Sequence, residues 1–169
     1  RFEARDILLE GGLSFEAINT LWDDLPQNVF LSFSTDQLEW TASTVLKAGT
    51  GKPVLVAIRE IEEQGVSELL VHARDYDGLF SSVTTVIDEM GLDVLSARVG
   101  TTGSGKSFDL FQLMDRHAQA VNHIDSERLQ SRLRDVLASA SLPKPVVRRL
   151  PRRLRPFKSP ARVRFSAAQ

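Results

Sequence analysis

The spacing of apolar residues changes period at Ala48-Gly49-Thr50-Gly51, and this change limits the chain to a helical part followed by a part that mixes strands with helices. Before the joint, apolar residues recur three and four apart. Phe15, Ile18 and Trp22, or Leu21 and Leu25, predict one helix with Ser14 as its N-cap and Pro26 at its end. Ser34-Thr35-Asp36 predicts the start of another, which carries Leu38, Trp40, Val45 and Leu46 and stops at the glycines. Residues 1–50 are therefore expected to form a helical unit.

After the joint, PVLVAIREI and VSELLVHAR are rich in β-branched residues and flank Glu62-Glu63-Gln64-Gly65, a pattern that predicts two antiparallel strands and a turn. Leu79, Val83, Val86, Ile87 and Met90 then return to helical spacing, with Gly91 placed to end the helix. DVLSARVGTT alternates Val94, Ser96 and Arg98 against Leu95, Ala97 and Val99. KSFDLFQLMD alternates Phe108, Leu110, Gln112 and Met114 against Asp109, Phe111, Leu113 and Asp115. A last helix is expected from Asp125-Ser126, with Leu129, Leu133, Val136 and Leu137 on its apolar stripe and Pro143 after it, and Val146-Val147 is read as a short strand returning to the sheet. The class is α+β. After a leading strand the order is β-α-β-β-α-β, the ferredoxin-like arrangement, over residues 51–150.

Composition excludes several functions. The chain has no cysteine, which removes disulfides, thiolate metal sites and cysteine nucleophiles together. Its longest apolar runs are much shorter than a membrane span, and no signal sequence opens it, so a cytoplasmic protein without membrane contact is expected. A chain that opens at Arg1 rather than at methionine is expected to be a piece of something longer. From Lys144 to Arg164 there are nine basic residues and no acids, so a net charge of −1 leaves −10 on residues 1–143. Such an arm suits either a linker that docks on the acidic remainder or a nucleic-acid-binding module. Only Phe157 and Phe165 offer stacking surfaces there, which favours the linker.

GTTGSGKS, residues 100–107, has the spacing of a phosphate-binding P-loop and raises a P-loop nucleotide-binding protein as an alternative. That chemistry requires a helix after Lys106 and Ser107, whereas the following residues alternate as a strand does, so GSGK is read as a hairpin turn. His72, His117 and His123 share no metal-ligand spacing. Asp23-Asp24 and Glu62-Glu63 read as solvated surface. No nucleophile elbow is present, and no catalytic residue is assigned. The turn Asp75-Tyr76-Asp77-Gly78-Leu79-Phe80 leaves two readings open. It is either an ordinary turn whose aspartate caps the helix, or a place where Gly78 lets a ligand approach and free amides hold a carboxylate.

Residues 69–115, LLVHARDYDGLFSSVTTVIDEMGLDVLSARVGTTGSGKSFDLFQLMD, resemble an ACT domain, an amino-acid-sensing module marked by an aspartate, two residues, Gly-Leu, a helix and a strand of the type DVLSARV. LWDDLPQNVFLSFSTDQLEW, SFDLFQLMD and LPRRLRPFKSPARVRF extend the likeness. In this order they resemble the connector, the third ACT strand, and the linker into a second ACT domain of the bifunctional uridylyltransferase and uridylyl-removing family. Tyr76 and Asp77 stand where that turn commonly carries arginine and proline. The resemblance implies glutamine as effector, held by Asp75, Asp77, Gly78 and Leu79, and ACT pairing along the strand from Asp93 to Val99. It also implies that a parent enzyme transfers UMP to, and removes it from, the nitrogen-signalling protein PII. The divalent metal, magnesium, would serve catalytic domains upstream of Arg1. Residues 151–169 would then be the basic linker and first strand of a second ACT domain.

Overall fold

The computed structural model describes residues 1–49 and 51–139. Four helices come first: α1 (Phe2–Glu10), α2 (Phe15–Asp24), α3 (Gln27–Ser32) and α4 (Thr35–Ala48). Ser14 caps α2 as expected, its hydroxyl accepting from Ala17 N–H at 3.2 Å. At α4 the cap is reciprocal. Ser34 Oγ accepts from Gln37 N–H at 3.1 Å, and Gln37 Oε1 accepts from Ser34 N–H at 3.0 Å. Pro26 ends the α2 segment and also serves as the N-cap of α3, a short helix that the spacing alone did not separate. Ile18, Leu21, Trp22 and Leu25 are buried together, while Phe15, expected on the same stripe, is 55% exposed. It lies at the first position of α2, beside the Arg5 guanidinium.

The sheet contains β1 (Val54–Ile61), β2 (Val66–Ala73), β3 (Asp93–Arg98) and β4 (Asp109–Met114), with α5 (Leu79–Glu89) and α6 (His123–Ser139) between and after them. Its order is β1-β2-β4-β3 and every pairing is antiparallel. β1 and β2 form the expected hairpin through the 3-10 turn Glu62–Gln64, with Ile61 opposite Val66. β4 lies between β2 and β3, which therefore run parallel to each other and need a crossover; α5 supplies it. The α+β ferredoxin-like reading holds. β3 departs from simple alternation, because the register shifts between Val94 and Ser96, so that Val94 pairs with Leu113 and Ser96 with Gln112. Leu95 is the extra residue of a bulge, and Val94 and Ser96 no longer share a face.

Alternation along β2 and β4 sends side chains into two cores. Leu69, Val71, Ala73, Phe111 and Leu113 pack with Val83, Val86 and Ile87 of α5 and Leu129, Leu133 and Leu137 of α6. Leu70, Phe108 and Leu110 pack on the opposite face with Ile18, Trp22, Val29, Leu38 and Val45 of α2, α3 and α4. The sheet is thus covered on both faces, and all eight residues of β2 are buried. One ionic knot crosses the second interface. Glu68, 2% exposed on β2, accepts from Arg59 Nε and Nη2 at 3.0 and 2.7 Å and from Gln37 Nε2 at 2.5 Å. Arg59 also reaches Asp36 and stacks over Trp40, 4.5 Å from the ring centroid, so α4 is fastened to β1 and β2.

α6 begins two residues before the expected Asp125, because Asn122 supplies the cap: its Oδ1 accepts from Asp125 N–H at 3.0 Å. Pro143, the strand expected at Val146-Val147, the basic arm from Lys144 to Arg164 and the linker at 151–169 lie outside the described residues.

Candidate functional site

Gly78 sets the geometry of the turn before α5. It is the N-cap, with φ +95°, a left-handed conformation that strains any residue with a Cβ. Its carbonyl accepts from Ser82 N–H at 2.8 Å, and no side chain caps the helix. The expectation that an aspartate caps α5 is therefore corrected. Asp75 turns instead to the β3–β4 loop, where its Oδ2 accepts from Thr101 Oγ1 at 2.7 Å and its N–H donates to Gly105 O at 3.0 Å. Asp77 is exposed, and Leu79 is buried in the core under α5.

A cavity of about 330 Å³ opens beside this turn. Asp75 and Leu79 line it; Asp77 and Gly78 do not. The remaining walls are not among the expected effector residues. Phe80, stacked on Phe111 at 5.7 Å, comes from α5, and Asn28 comes from α3. Val99, Gly100, Thr101 and Ser107 come from the β3–β4 loop, and Asp109 comes from β4. A Cβ at Gly100 would stand 3.0 Å from Val29 Cγ2 and 3.1 Å from Pro26 Cγ, so glycine permits the close approach of the loop to the helical layer. Asn28 Nδ2 donates to Val99 O at 3.0 Å across the same junction.

Asp109 is the unusual wall. It is 4% exposed, and its Oδ1 accepts from Gly100 N–H at 3.3 Å. Burial pushes its carboxyl from 3.8 up to about 7, the Gly100 N–H pulls the other way, and the negative charge of Asp75 adds to the rise. A signal for it existed in the sequence, since Asp109 falls on the same side of its strand as Phe111 and Leu113, where a carboxylate faces the core.

The P-loop reading fails on geometry. Residues 99–108 form the β3–β4 loop, closed by a bridge between Thr101 and Ser107, and a strand follows where a nucleotide site needs a helix. Its donors already hold an anion, the carboxylate of Asp24 at the end of α2. Ser104 N–H donates to Asp24 Oδ1 at 2.7 Å and Ser104 Oγ to Oδ2 at 2.6 Å, while Gly103 N–H donates to Asp24 O at 2.8 Å. Burial raises the Asp24 pKa, but the hydrogen bonds from Ser104 and Thr102 and the charge of His72 outweigh it and leave the group below its ordinary value. Asp24 is thus not the solvated surface residue expected, whereas Asp23 is exposed. His72 is buried, with Nδ1–H donating to Ser107 O at 2.7 Å; burial is the main cause of its lowered pKa.

Two other concavities are present among the described residues. A cleft of about 750 Å³ lies between α2, α4 and the β3–β4 loop, with Leu21, Asp24, Val45, His72, Ser104 and Lys106 in its walls. A groove of about 690 Å³ between α5 and α6 carries the Arg132–Glu89 and Arg128–Asp125 ion pairs. Neither includes any of the four effector residues expected from the sequence. Among the described residues no group of three or more His, Cys, Asp or Glu converges as a metal site. No described helix is long and apolar enough to cross a membrane.

Residues 1–44 match the family described as "Uridylyltransferase GlnD fifth domain". The chain is similar to the bifunctional uridylyltransferase/uridylyl-removing enzyme of Xanthomonas campestris pv. campestris (strain B100), 32% identical over 98% of the chain and 19% of the relative. It is 29% identical to that of Methylococcus capsulatus over 96% of the chain and 19% of the relative. For Psychrobacter sp. (strain PRwf-1) the identity is 30%, covering 89% and 18%. The chain thus spans about a fifth of the length of the curated relatives it matches. Residues 1–44 thus resemble the uridylyltransferase fifth domain, and the chain as a whole is similar to a segment of the bifunctional uridylyltransferase/uridylyl-removing enzymes.

Proposed function

We propose that this chain is the glutamine-sensing regulatory region of such an enzyme, controlling UMP transfer to PII and its removal in cytoplasmic nitrogen regulation. Residues 1–50 would be the connector from the catalytic part, residues 51–150 an ACT domain, and residues 151–169 the linker into a second one. Magnesium would serve active sites elsewhere in the parent. The observation that carries the sensing role is the cavity at the start of α5, which joins Asp75 and Leu79 to the buried Asp109. Its volume of about 330 Å³ is at the small end for ligand sites, which run on the order of 300–1,000 Å³ and suit an amino acid better than a nucleotide at this size.

The same cavity offers a route for control. Asn28 of α3 forms part of its wall and Asp24 of α2 holds the adjoining loop, so a ligand that reshapes the loop changes how the connector sits on the sheet. A typical coupling of about 1–3 kcal/mol would shift the balance between the two activities several-fold or more. β3 lies at one end of the sheet order with Val94 40% and Leu95 49% exposed, which supports pairing with a second ACT domain at that edge.

The test uses the full parent enzyme. Transferase and UMP-removing rates are measured across a glutamine titration for the parent and for Gly78→Val, whose side chain is forced into a left-handed conformation at a cost of about 1–3 kcal/mol. The midpoint of the glutamine response should move several-fold. An unmoved midpoint in a folded variant would contradict the role of this turn.

A further inference from the structure

We propose that Asp75 and Asp109 together form a binding site for a primary ammonium group, so that a ligand enters the cavity amine first. This rests on reading the cavity as an effector site and adds the chemistry by which it selects its ligand. Both carboxylates line the same cavity, and of its nine lining residues only these two carry an ionisable side chain. The other residues that line the cavity are neutral: Asn28 from α3, Leu79 and Phe80 from α5, and Val99, Gly100, Thr101 and Ser107 from the β3–β4 loop. On β2, the register partner of Asp109 is Val71.

Asp109 is also short of partners. An ionised carboxylate can accept about four hydrogen bonds, yet the Asp109 carboxylate receives a single one among the described residues, from Gly100 N–H. A carboxylate this deeply buried is costly unless a cation or further donors meet it. An ammonium brings three donors and a positive charge, and Leu79, Phe80 and Val99 give the aliphatic body behind it an apolar wall. Leu79, Phe80 and Val99 offer a hydrated divalent cation no ligand, whereas they suit the carbon body of an amine.

Occupancy is then linked to a proton. In the empty cavity Asp109 is half protonated at about pH 7, and an ammonium favours the ionised form, so binding expels the proton. Apparent affinity rises with pH through that region and levels off above it. Scaling by the ionised fraction gives a gain of about tenfold between about pH 6 and about pH 8.

The experiment is calorimetry on the 169-residue chain at both pH values, in buffers of differing ionisation enthalpy. The probes are L-glutamine, N-acetyl-L-glutamine, which lacks the ammonium, the other common amino acids and methylammonium. The expected result is L-glutamine binding about tenfold tighter at the higher pH with a proton released, no binding of the acetylated form, and loss of the pH slope in Asp109→Asn. Glutamine binding with equal affinity at both pH values, or equal binding of N-acetyl-L-glutamine, overturns the ammonium site and leaves the glutamine reading intact. If another amine binds with the expected slope and glutamine does not, the ammonium site stands and glutamine is the wrong effector. No binding by any amine overturns both.

Discussion

Replacing Asp109 by asparagine keeps the shape of the side chain and an acceptor for Gly100 N–H while removing the ionisable group. Below 3.8 the carboxyl is protonated in the folded and the unfolded chain, so it contributes nothing to the pH dependence. Between 3.8 and about 7 the unfolded chain has released a proton that the folded chain keeps, so stability falls as pH rises; above about 7 the loss is complete. A gap of about 3 pH units at about 1.4 kcal/mol each sets the full penalty at about 4 kcal/mol. Asparagine does not incur it. From about pH 5 to about pH 8 the stability of Asp109→Asn relative to the parent chain should therefore rise by about 2.5 kcal/mol. Urea unfolding followed by circular dichroism measures both proteins at each pH, and taking the difference cancels the titration of all other groups. A stability difference that stays constant across the range would refute the argument, because it would mean that Asp109 ionises in the folded chain as it does in the unfolded one.

Other expectations follow from contacts already described. Glu68→Ala leaves Arg59 and Gln37 without their buried acceptor and should cost about 3 kcal/mol in the same unfolding assay, near the low end for breaking a buried pair because Arg59 keeps Asp36. Asp24→Ala should cost about 1–2 kcal/mol and speed amide exchange at Ser104. Because the folded pKa of Asp24 is lowered, this contribution is present above the unfolded value of 3.8 and vanishes as pH falls through the folded one. Equilibrium dialysis with magnesium and ATP or GTP should show no saturable binding by the parent chain, since the loop that would cradle phosphate is closed on Asp24.

Elements whose signals are local were legible in the sequence. Ser14 and Ser34 cap helices where they were expected to, and the hairpin from Val54 to Ala73 follows from two β-branched runs around a turn. The helix of α5 follows from Leu79, Val83, Val86 and Ile87. What depends on a distant partner was not legible. The role of Asp24 comes from Ser104, 80 positions later, and no spacing rule connects them. The bulge at Leu95 reflects the register against β4 rather than any residue in β3 itself. The cavity drew three of its walls, Asp75, Leu79 and Phe80, from the turn that sequence pointed to, while Asn28 and Asp109 reached it through tertiary packing. Gly78, expected as an effector contact, stands out instead for its φ of +95° at the helix start and is not a wall of the cavity.

Glutamine sensing at the cavity beside the start of α5 is tested by titrating the ¹⁵N-labelled 169-residue chain with L-glutamine, followed amide by amide. Saturable shifts that share one dissociation constant are expected at Asp75, Leu79, Phe80, Thr101 and Asp109, with smaller ones reaching Asn28 across the hydrogen bond to Val99. No saturable shift, or shifts confined to the groove between α5 and α6, would contradict it.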